Sequence, residues 1–273
     1  MSTSHTGVRS VLSEPSENAV VVAIDHGQHF GVYDRFENPR ETLETVLSAD
    51  PDGIIAGVPF LQQFEETLDT HPSVSRIATI DLLHESTFPG ESEEAEIHTQ
   101  VFSVRAAARA GADAIKAALV YGREEPAVLQ SNIKFVAHAA EEATEAGLPM
   151  VIEPTLWGSR ADDEFHAERL ANANRIGLEL GASILKSPYP GDPAQFAQIP
   201  ENAPVPVLIA GGPAVESDER VLEMVHGAVS RGARGVMIGR NIWQHPDPAS
   251  MITAMQRIVH DGDSVEEAKE ALR

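Results

Sequence analysis

The feature that most restricts the fold is a rhythm of short apolar runs, each followed by a longer amphipathic stretch. The runs are residues 18–25, 53–57, 76–83, 112–120, 148–153, 182–186, 205–210 and 235–238. Several are apolar at successive positions rather than alternate ones, the mark of strands buried on both faces of a parallel sheet. Between them, helices are expected over residues 39–47, 59–70, 97–111, 126–147, 163–181 and 217–232, with a short one near 193–198 and two more near 248–260 and 264–272. Proline sits at the start of several of these, and Ser217 is placed to cap its helix. Eight βα units in 273 residues predict the α/β class and a single (β/α)8 TIM barrel. A doubly wound open sheet is the competing topology. The barrel is preferred because glycines and charged residues gather at the carboxyl ends of the runs, where a barrel builds its site.

No Ser/Gly linker or low-complexity segment divides the chain, so one domain over residues 1–273 is expected, with a loose N-terminal arm over about 1–17. That arm is polar and lacks the apolar core of a signal peptide, and no apolar run reaches membrane-spanning length. A cytoplasmic protein with no membrane partner is the expectation. Lys+Arg 20 against Asp+Glu 42 leave a net charge of −22, a field that repels nucleic acid and anionic lipid alike. The absence of cysteine removes disulfides, thiolate nucleophiles and Cys-ligated metals.

Only four lysines occur, at 116, 134, 186 and 269, against sixteen arginines. Lys186 stands at the carboxyl end of a predicted strand, just before Pro188 and Pro190. An amine desolvated there can lose its proton near neutral pH and attack a carbonyl. Lys186 is therefore the candidate Schiff-base nucleophile, and a lysine snorkelling to solvent is the plain alternative.

In a barrel, Asp25, Glu153, Gly211-Gly212 and Gly239-Arg240 converge with Lys186 on one mouth. A carboxylate beside the amine keeps proton traffic local, and Asp25 and Glu153 both qualify. The glycine pair and Gly239 let backbone amides approach an anion, and Arg240 adds a fork donor suited to phosphate. His26 and His29 offer metal-ligand chemistry but no obvious third ligand, so a surface or supporting position is expected and no metal is assigned. Residues 84–95, with four glutamates, form an unusually long connection, either a lid or a disordered insert.

An amine plus a phosphate grip suits making or breaking a carbon–carbon bond beside the ketone of a phosphorylated sugar. The protonated imine then acts as electron sink, and no cofactor is called for. A lysine-independent sugar-phosphate isomerase using Asp25 and Glu153, or a non-catalytic sugar-phosphate binder, would carry many of the same residues.

Four stretches strengthen the first reading: Ile24-Asp-His-Gly27, Ile184-Leu-Lys186, Val207-Leu-Ile-Ala-Gly-Gly212, and Gly235-Val-Met-Ile-Gly-Arg-Asn-Ile-Trp-Gln244 followed by His245-Pro-Asp-Pro248. With these the chain resembles, over nearly its whole length, the archaeal-type class I aldolases of the DhnA/DeoC-like group. That group includes fructose-bisphosphate aldolase, aminodideoxyheptulosonate synthase and the autoinducer-2 thiolase. The resemblance implies a metal-independent aldehyde-lyase with Lys186 as Schiff-base lysine and Asp25 as active-site carboxylate. It also implies Gly211, Gly212, Gly239 and Arg240 as phosphate ligands, a fructose 1,6-bisphosphate-like substrate, and a homo-oligomer, commonly ring-based. The synthase and thiolase activities are the alternatives on the same scaffold. The aldolase branch has a proton-transfer tyrosine after strand five. Here the segment reads Glu153-Pro-Thr-Leu-Trp-Gly158, so Glu153 or Thr155 stands in that role.

A diffuse negative charge with Arg far above Lys is the composition of a protein adapted to concentrated salt, which screens self-repulsion to within about 3 Å at 1 M. Unfolding midpoints are accordingly expected to fall as salt is withdrawn from the molar range. A midpoint that stays level in a dilution series would exclude this adaptation.

Overall fold

The described residues form ten strands, β1 (Ala19–Ala23), β2 (Gly53–Gly57), β3 (Ser75–Thr79), β4 (Asp81–His84), β5 (Ile97–Gln100), β6 (Ala114–Tyr121), β7 (Met150–Leu156), β8 (Ile184–Pro188), β9 (Val207–Ala210) and β10 (Gly235–Ile238), all but β5 within or overlapping the apolar runs. This computed structural model describes residues 8, 10–84, 86–88, 96–212, 215 and 217–273. Eight of the strands close into a parallel barrel in the order β1-β2-β3-β6-β7-β8-β9-β10, β10 returning to β1. The seam is secure because Ala19 to Val22 pair in register with Gly235 to Ile238.

Both faces of the barrel wall are apolar, as the unbroken runs require. One set of side chains, including Val21, Ile55, Ile77, Val151, Ile184, Leu208 and Met237, fills the interior. The alternate set, including Val20, Val22, Ile54, Ile152, Leu185, Ile209 and Ile238, packs against the surrounding helices. The longest of these, Pro126–Ala146, begins with proline and ends at Gly147 in the left-handed conformation (φ 72°), a usual start and stop. Among the described residues no helix is long and apolar enough to cross a membrane.

Two expectations about residues 76–111 need correction. The run 76–83 is not one strand: β3 ends at Thr79, and β4 leaves the barrel to pair antiparallel with β5. The cause is Asp81, a fully buried carboxylate inside the run, whose Oδ2 accepts hydrogen bonds from Ala118 N (2.8 Å) and pairs with His98 Nε2 (2.8 Å). Satisfying that group holds the chain outside the ladder. The helix expected from residue 97 starts only at Val104, with Ser103 as its cap. Ile97 and Thr99 are exposed with His98 buried between them, the alternation of a strand. Of the connection 84–95, residues 85 and 89–95 lie outside the described residues.

The described part of the N-terminal arm is packed rather than loose. Val11 and Leu12 are buried in the barrel interior cluster, and Ser13 pairs with Asn18 through backbone bonds. Asp52, at the amino end of β2, ties this plug down. Its carboxylate accepts from Val20 N (2.6 Å) and from Ser13 Oγ, and pairs with His260 Nε2 at 2.9 Å. Asn18 Nδ2 donates to Val259 O at 2.7 Å, so the C-terminal segment is fastened to the same end.

The hydrogen bond to Asp52 raises the His260 pKa above its ordinary value, burial opposing. A raised histidine adds stability that is fully present below the unfolded value of about 6.5 and is lost as pH rises through the higher folded value. Asp52→Ala is expected to cost about 1–3 kcal/mol, because Val20 N–H is left unpaired, and to flatten the decline of stability above neutral pH. Urea unfolding of both proteins across neutral pH checks this; an equal pH slope in the variant would remove the His260 pair from the account.

Candidate active site

At the carboxyl end of the barrel, four charged side chains from four strands stand in one alternating row. Asp25 follows β1, Lys116 lies in β6, Glu153 in β7 and Lys186 in β8. Lys116 Nζ lies 3.4 Å from Asp25 Oδ2 and 2.8 Å from Glu153 Oε2, while Lys186 Nζ lies 2.8 Å from Glu153 Oε1. Each oxygen of Glu153 therefore meets a different lysine. Asp25, Lys116 and Lys186 are all buried, and the Glu153 side chain is 14% exposed. Thr79 Oγ1 donates to Asp25 Oδ2 at 2.7 Å.

Opposite charges at this range control the protonation states. Burial alone would raise both carboxyls, but Lys116, with His29 and Lys186, holds Asp25 well below the usual carboxylate range. Lys116 and Lys186 likewise overcome burial at Glu153 and hold it at about 2. Lys116 itself is raised, its desolvation outweighed by Glu153, Asp25 and Asp81. Lys116 is thus a cation held between two carboxylates that rest ionised.

The short helix His26–Phe30 that follows β1 brings two histidines to Asp25, with His29 Nε2 3.5 Å from Oδ2 and His26 Nδ1 3.7 Å from Oδ1. Neither is a surface residue. Burial lowers the His26 pKa to about 4, partly opposed by Asp25, which leaves that ring neutral at pH 7. The hairpin of β4 and β5 steadies this helix: Leu83 N donates to His29 Nδ1 (3.3 Å) and Gln28 Nε2 to Asp81 O (2.7 Å).

A second group lies beyond β9 and β10. Gly211, Gly212, Gly239 and Arg240 line the same cavity, of about 410 Å³, as Lys186 and Glu153. A side chain at Gly239 would stand 2.5 Å from His26 Cε1 and 2.6 Å from Ala23 O, and Gly212 has φ 63°. Only glycine fits the first position, and the second favours it strongly. Asn241 fastens the two loops together, donating to Gly211 O at 2.9 Å and accepting from Val215 N at 2.8 Å. Trp243 Nε1 donates to Ala23 O at 3.0 Å and anchors the same turn to β1. The Arg240 Nε is buried with no partner among the described residues. A buried guanidinium donor left open beside glycine backbone is a place for an anion.

Every residue singled out in the sequence lines this cavity: Asp25, Glu153, Thr155, Lys186, Gly211, Gly212, Gly239 and Arg240. Thr155 lies within β7, and its hydroxyl makes only a long contact to Glu153 O (3.4 Å). The sequence reading missed Lys116 and Thr79. Lys116 had left a signal, since it is the one charged residue inside the apolar run 114–121 of a chain with four lysines. Thr79 had left none, being one hydroxyl in a strand.

Residues 19–245 match the profile of the DeoC/LacD family aldolases. The chain is 30% identical over 251 residues to the fructose-bisphosphate aldolase class 1 of Thermoproteus tenax, covering 91% of this chain and 92% of that protein. It is 28% identical over 241 residues to the 2-amino-4,5-dihydroxy-6-oxo-7-(phosphonooxy)heptanoate synthase of Streptomyces griseus, covering 88% and 84%. A solved archaeal fructose-1,6-bisphosphate aldolase, with its catalytic lysine bound to the carbinolamine intermediate of the substrate, superposes with a TM-score of 0.81. It is 26% identical to this chain, with 95% of this chain and all of that one covered.

Replacing Lys116 by methionine leaves two buried carboxylates short of their main counter-charge. The expected cost is about 3–5 kcal/mol at neutral pH. It should shrink on acidification, because the raised carboxyls of the variant can then take up protons. Denaturant titrations at descending pH measure this, and a penalty that does not change with pH would show that Lys116 acts through packing.

Proposed function

Because the chain belongs to the DeoC/LacD family of aldolases, we propose that it is a class I aldolase whose Lys186 forms a Schiff base with the ketone of a phosphorylated ketose and cleaves or makes the adjoining carbon–carbon bond. The observation that carries this reading is the shared carboxylate. Lys186 Nζ and Lys116 Nζ each lie 2.8 Å from a different oxygen of Glu153, in a cavity that also contains an open arginine donor.

Each side chain has a task that follows from its place. Attack by the Lys186 nitrogen on the carbonyl needs its lone pair, and Glu153 Oε1 is in position to take the proton and to return it as the carbinolamine loses water. The protonated imine then draws the electron pair of the breaking bond toward nitrogen. The hydroxyl on the departing carbon must give up its proton in the same step. Asp25, fixed by Thr79 and Lys116, and Glu153 are the carboxylates placed to receive it. Lys116 acts as a positioning residue: it keeps both carboxylates ionised and oriented. Thr155 faces the same space and can hold a substrate hydroxyl. Gly211, Gly212, Gly239 and Arg240 take the phosphate on the carbon next to the ketone.

The names of two relatives support a phosphorylated substrate. The Thermoproteus tenax protein is named for a fructose bisphosphate, and the Streptomyces griseus protein for a 6-oxo-7-(phosphonooxy) compound, a phosphate one carbon from a ketone. A fructose 1,6-bisphosphate-like ketose and a monophosphorylated ketone are both within this reading.

Incubation with dihydroxyacetone phosphate followed by borohydride reduction tests it. A reduced adduct is expected on Lys186, and peptide mapping is decisive because two lysines line the cavity. An adduct on Lys116 would reassign the nucleophile. Absence of any adduct on folded protein would replace the Schiff-base reading with that of a lysine-independent sugar-phosphate enzyme or binder.

A further inference from the structure

Three loops at the carboxyl end of the barrel meet on one carboxylate that does not itself line the cavity. Glu96, half-buried just before β5, has both oxygens occupied. Its Oε2 accepts from Glu124 N at 2.7 Å, and its Oε1 accepts from Ser159 N at 2.7 Å and Ser159 Oγ at 3.0 Å. Glu124 belongs to the loop after β6 and Ser159 to the loop after β7, so Glu96 ties one to the other. The two loops also touch directly, Trp157 N donating to Tyr121 O at 2.7 Å and Arg160 N to Gly122 O at 2.9 Å. A side chain at Gly158 (φ 141°) would stand 2.5 Å from Gly122 O and 2.8 Å from Glu96 Oε1. Glycine is what allows the three segments to meet.

The residues beside the tied amides form part of the site. Arg123, directly before Glu124, is buried and stacks on the Trp157 ring at 4.6 Å. Trp157, two residues before Ser159, lines the cavity together with Leu156. Going round the barrel, Gly212 and Arg240 follow β9 and β10, Lys186 lies in β8 and Trp157 follows β7. A ketose held by its phosphate at the first point and its ketone at the second brings its remaining carbons to the third.

The other side-chain link between these loops is weaker. Arg160 forks onto Glu124 at 2.7 and 2.9 Å, but both side chains are more than half exposed, where such pairs contribute little. Glu96 instead receives charge-assisted bonds from two main-chain amides, which fix the loop backbone itself. Burial pushes its carboxyl up, but those amides, the Ser159 hydroxyl and the nearby Arg123 hold it below its ordinary value. It is therefore ionised at neutral pH.

Resting on the aldolase reading, we propose that Glu96 is a positioning residue of the active site. By tying the Glu124 and Ser159 amides together it fixes the Arg123–Trp157 stack, and with it the wall that receives the part of the substrate beyond the ketone.

Glu96→Gln and Ser159→Ala test this. Glutamine keeps the shape but turns an amide NH2 toward one of the loop amides, whereas Ser159→Ala removes a single bond of the three. The readout is the ligand concentration giving half-maximal borohydride trapping on Lys186. For the ketose, whichever of fructose 1-phosphate and fructose 1,6-bisphosphate the wild type binds more tightly, Glu96→Gln is expected to raise it about ten-fold, the scale of one misplaced contact. For dihydroxyacetone phosphate, which ends at the ketone half, it should stay level. Ser159→Ala should show the same pattern more weakly. Acrylamide quenching reads the wall directly, because Trp243 is buried and Trp157 is the more accessible of the two tryptophans. Glu96→Gln should red-shift the emission and make it easier to quench. Ketose and dihydroxyacetone phosphate values that move together, or unchanged values with lower stability alone, overturn the proposal, as does unchanged emission. If the wild type gives no Lys186 adduct with dihydroxyacetone phosphate, the Schiff-base reading falls first, and quenching still decides whether Glu96 sets Trp157.

Discussion

The structure of the site depends on one carboxylate shared by two lysines. Glu153 lies 2.8 Å from both Lys116 and Lys186, and Lys116 in turn reaches Asp25. Four ionised groups removed from water would cost many kcal/mol if each stood alone. In an alternating row each charge is answered by its neighbour, and the row can persist in the barrel interior. The same arrangement bears on the proposed Schiff-base chemistry. A lysine beside a free carboxylate would form a simple ion pair, whereas here the carboxylate's second oxygen is already engaged, so Glu153 can exchange a proton with Lys186 without leaving its place.

Such a row needs a scaffold that delivers one residue from each of several neighbouring strands to the same depth. Parallel strands in register do this. β6 pairs with β7 over seven residues from Ile115 to Tyr121, which sets Lys116 against Val151 and Ala118 against Glu153. The opposite end of the barrel is closed by Val11, Leu12 and the Asp52 node, which tie the N-terminal segment to β1 and to His260. A division of labour between the two faces follows from the fold, since carboxyl-end loops can vary without opening the core.

The parallel sheet was legible because burial on both faces writes continuous apolar runs, and its closure into a barrel because glycines and charged residues gather at their carboxyl ends. The special residues were legible for the same reason: a lysine or glutamate at the end of such a run interrupts the pattern. What escaped is physically different. Lys116 and Asp81 are charges inside runs, where periodicity counts a polar residue as noise, and only the three-dimensional pairing gives each its partner. The β4–β5 hairpin was missed because Asp81 turns the chain out of the ladder through bonds to Ala118 and to His98, a residue seventeen positions away. His26 and His29 read as surface or supporting residues on a glycine-bearing turn. Their burial against Asp25 depends on Leu83 and Trp243, which come from distant parts of the chain.

The distribution of charge joins the site to the rest of the molecule. A net charge of −22 would repel an anionic sugar phosphate at long range in dilute buffer. In concentrated salt the Debye length drops to about 3 Å at 1 M, and that repulsion ends close to the surface. The cavity interior is less screened, because ions must first lose water to enter it. There the local balance decides: Arg240, the glycine amides and the two lysines against Glu153 and Asp25. An acidic exterior and an anion-accepting interior are therefore compatible when salt separates their ranges. A chain with so few lysines loses nothing at the site, because two of its four stand there.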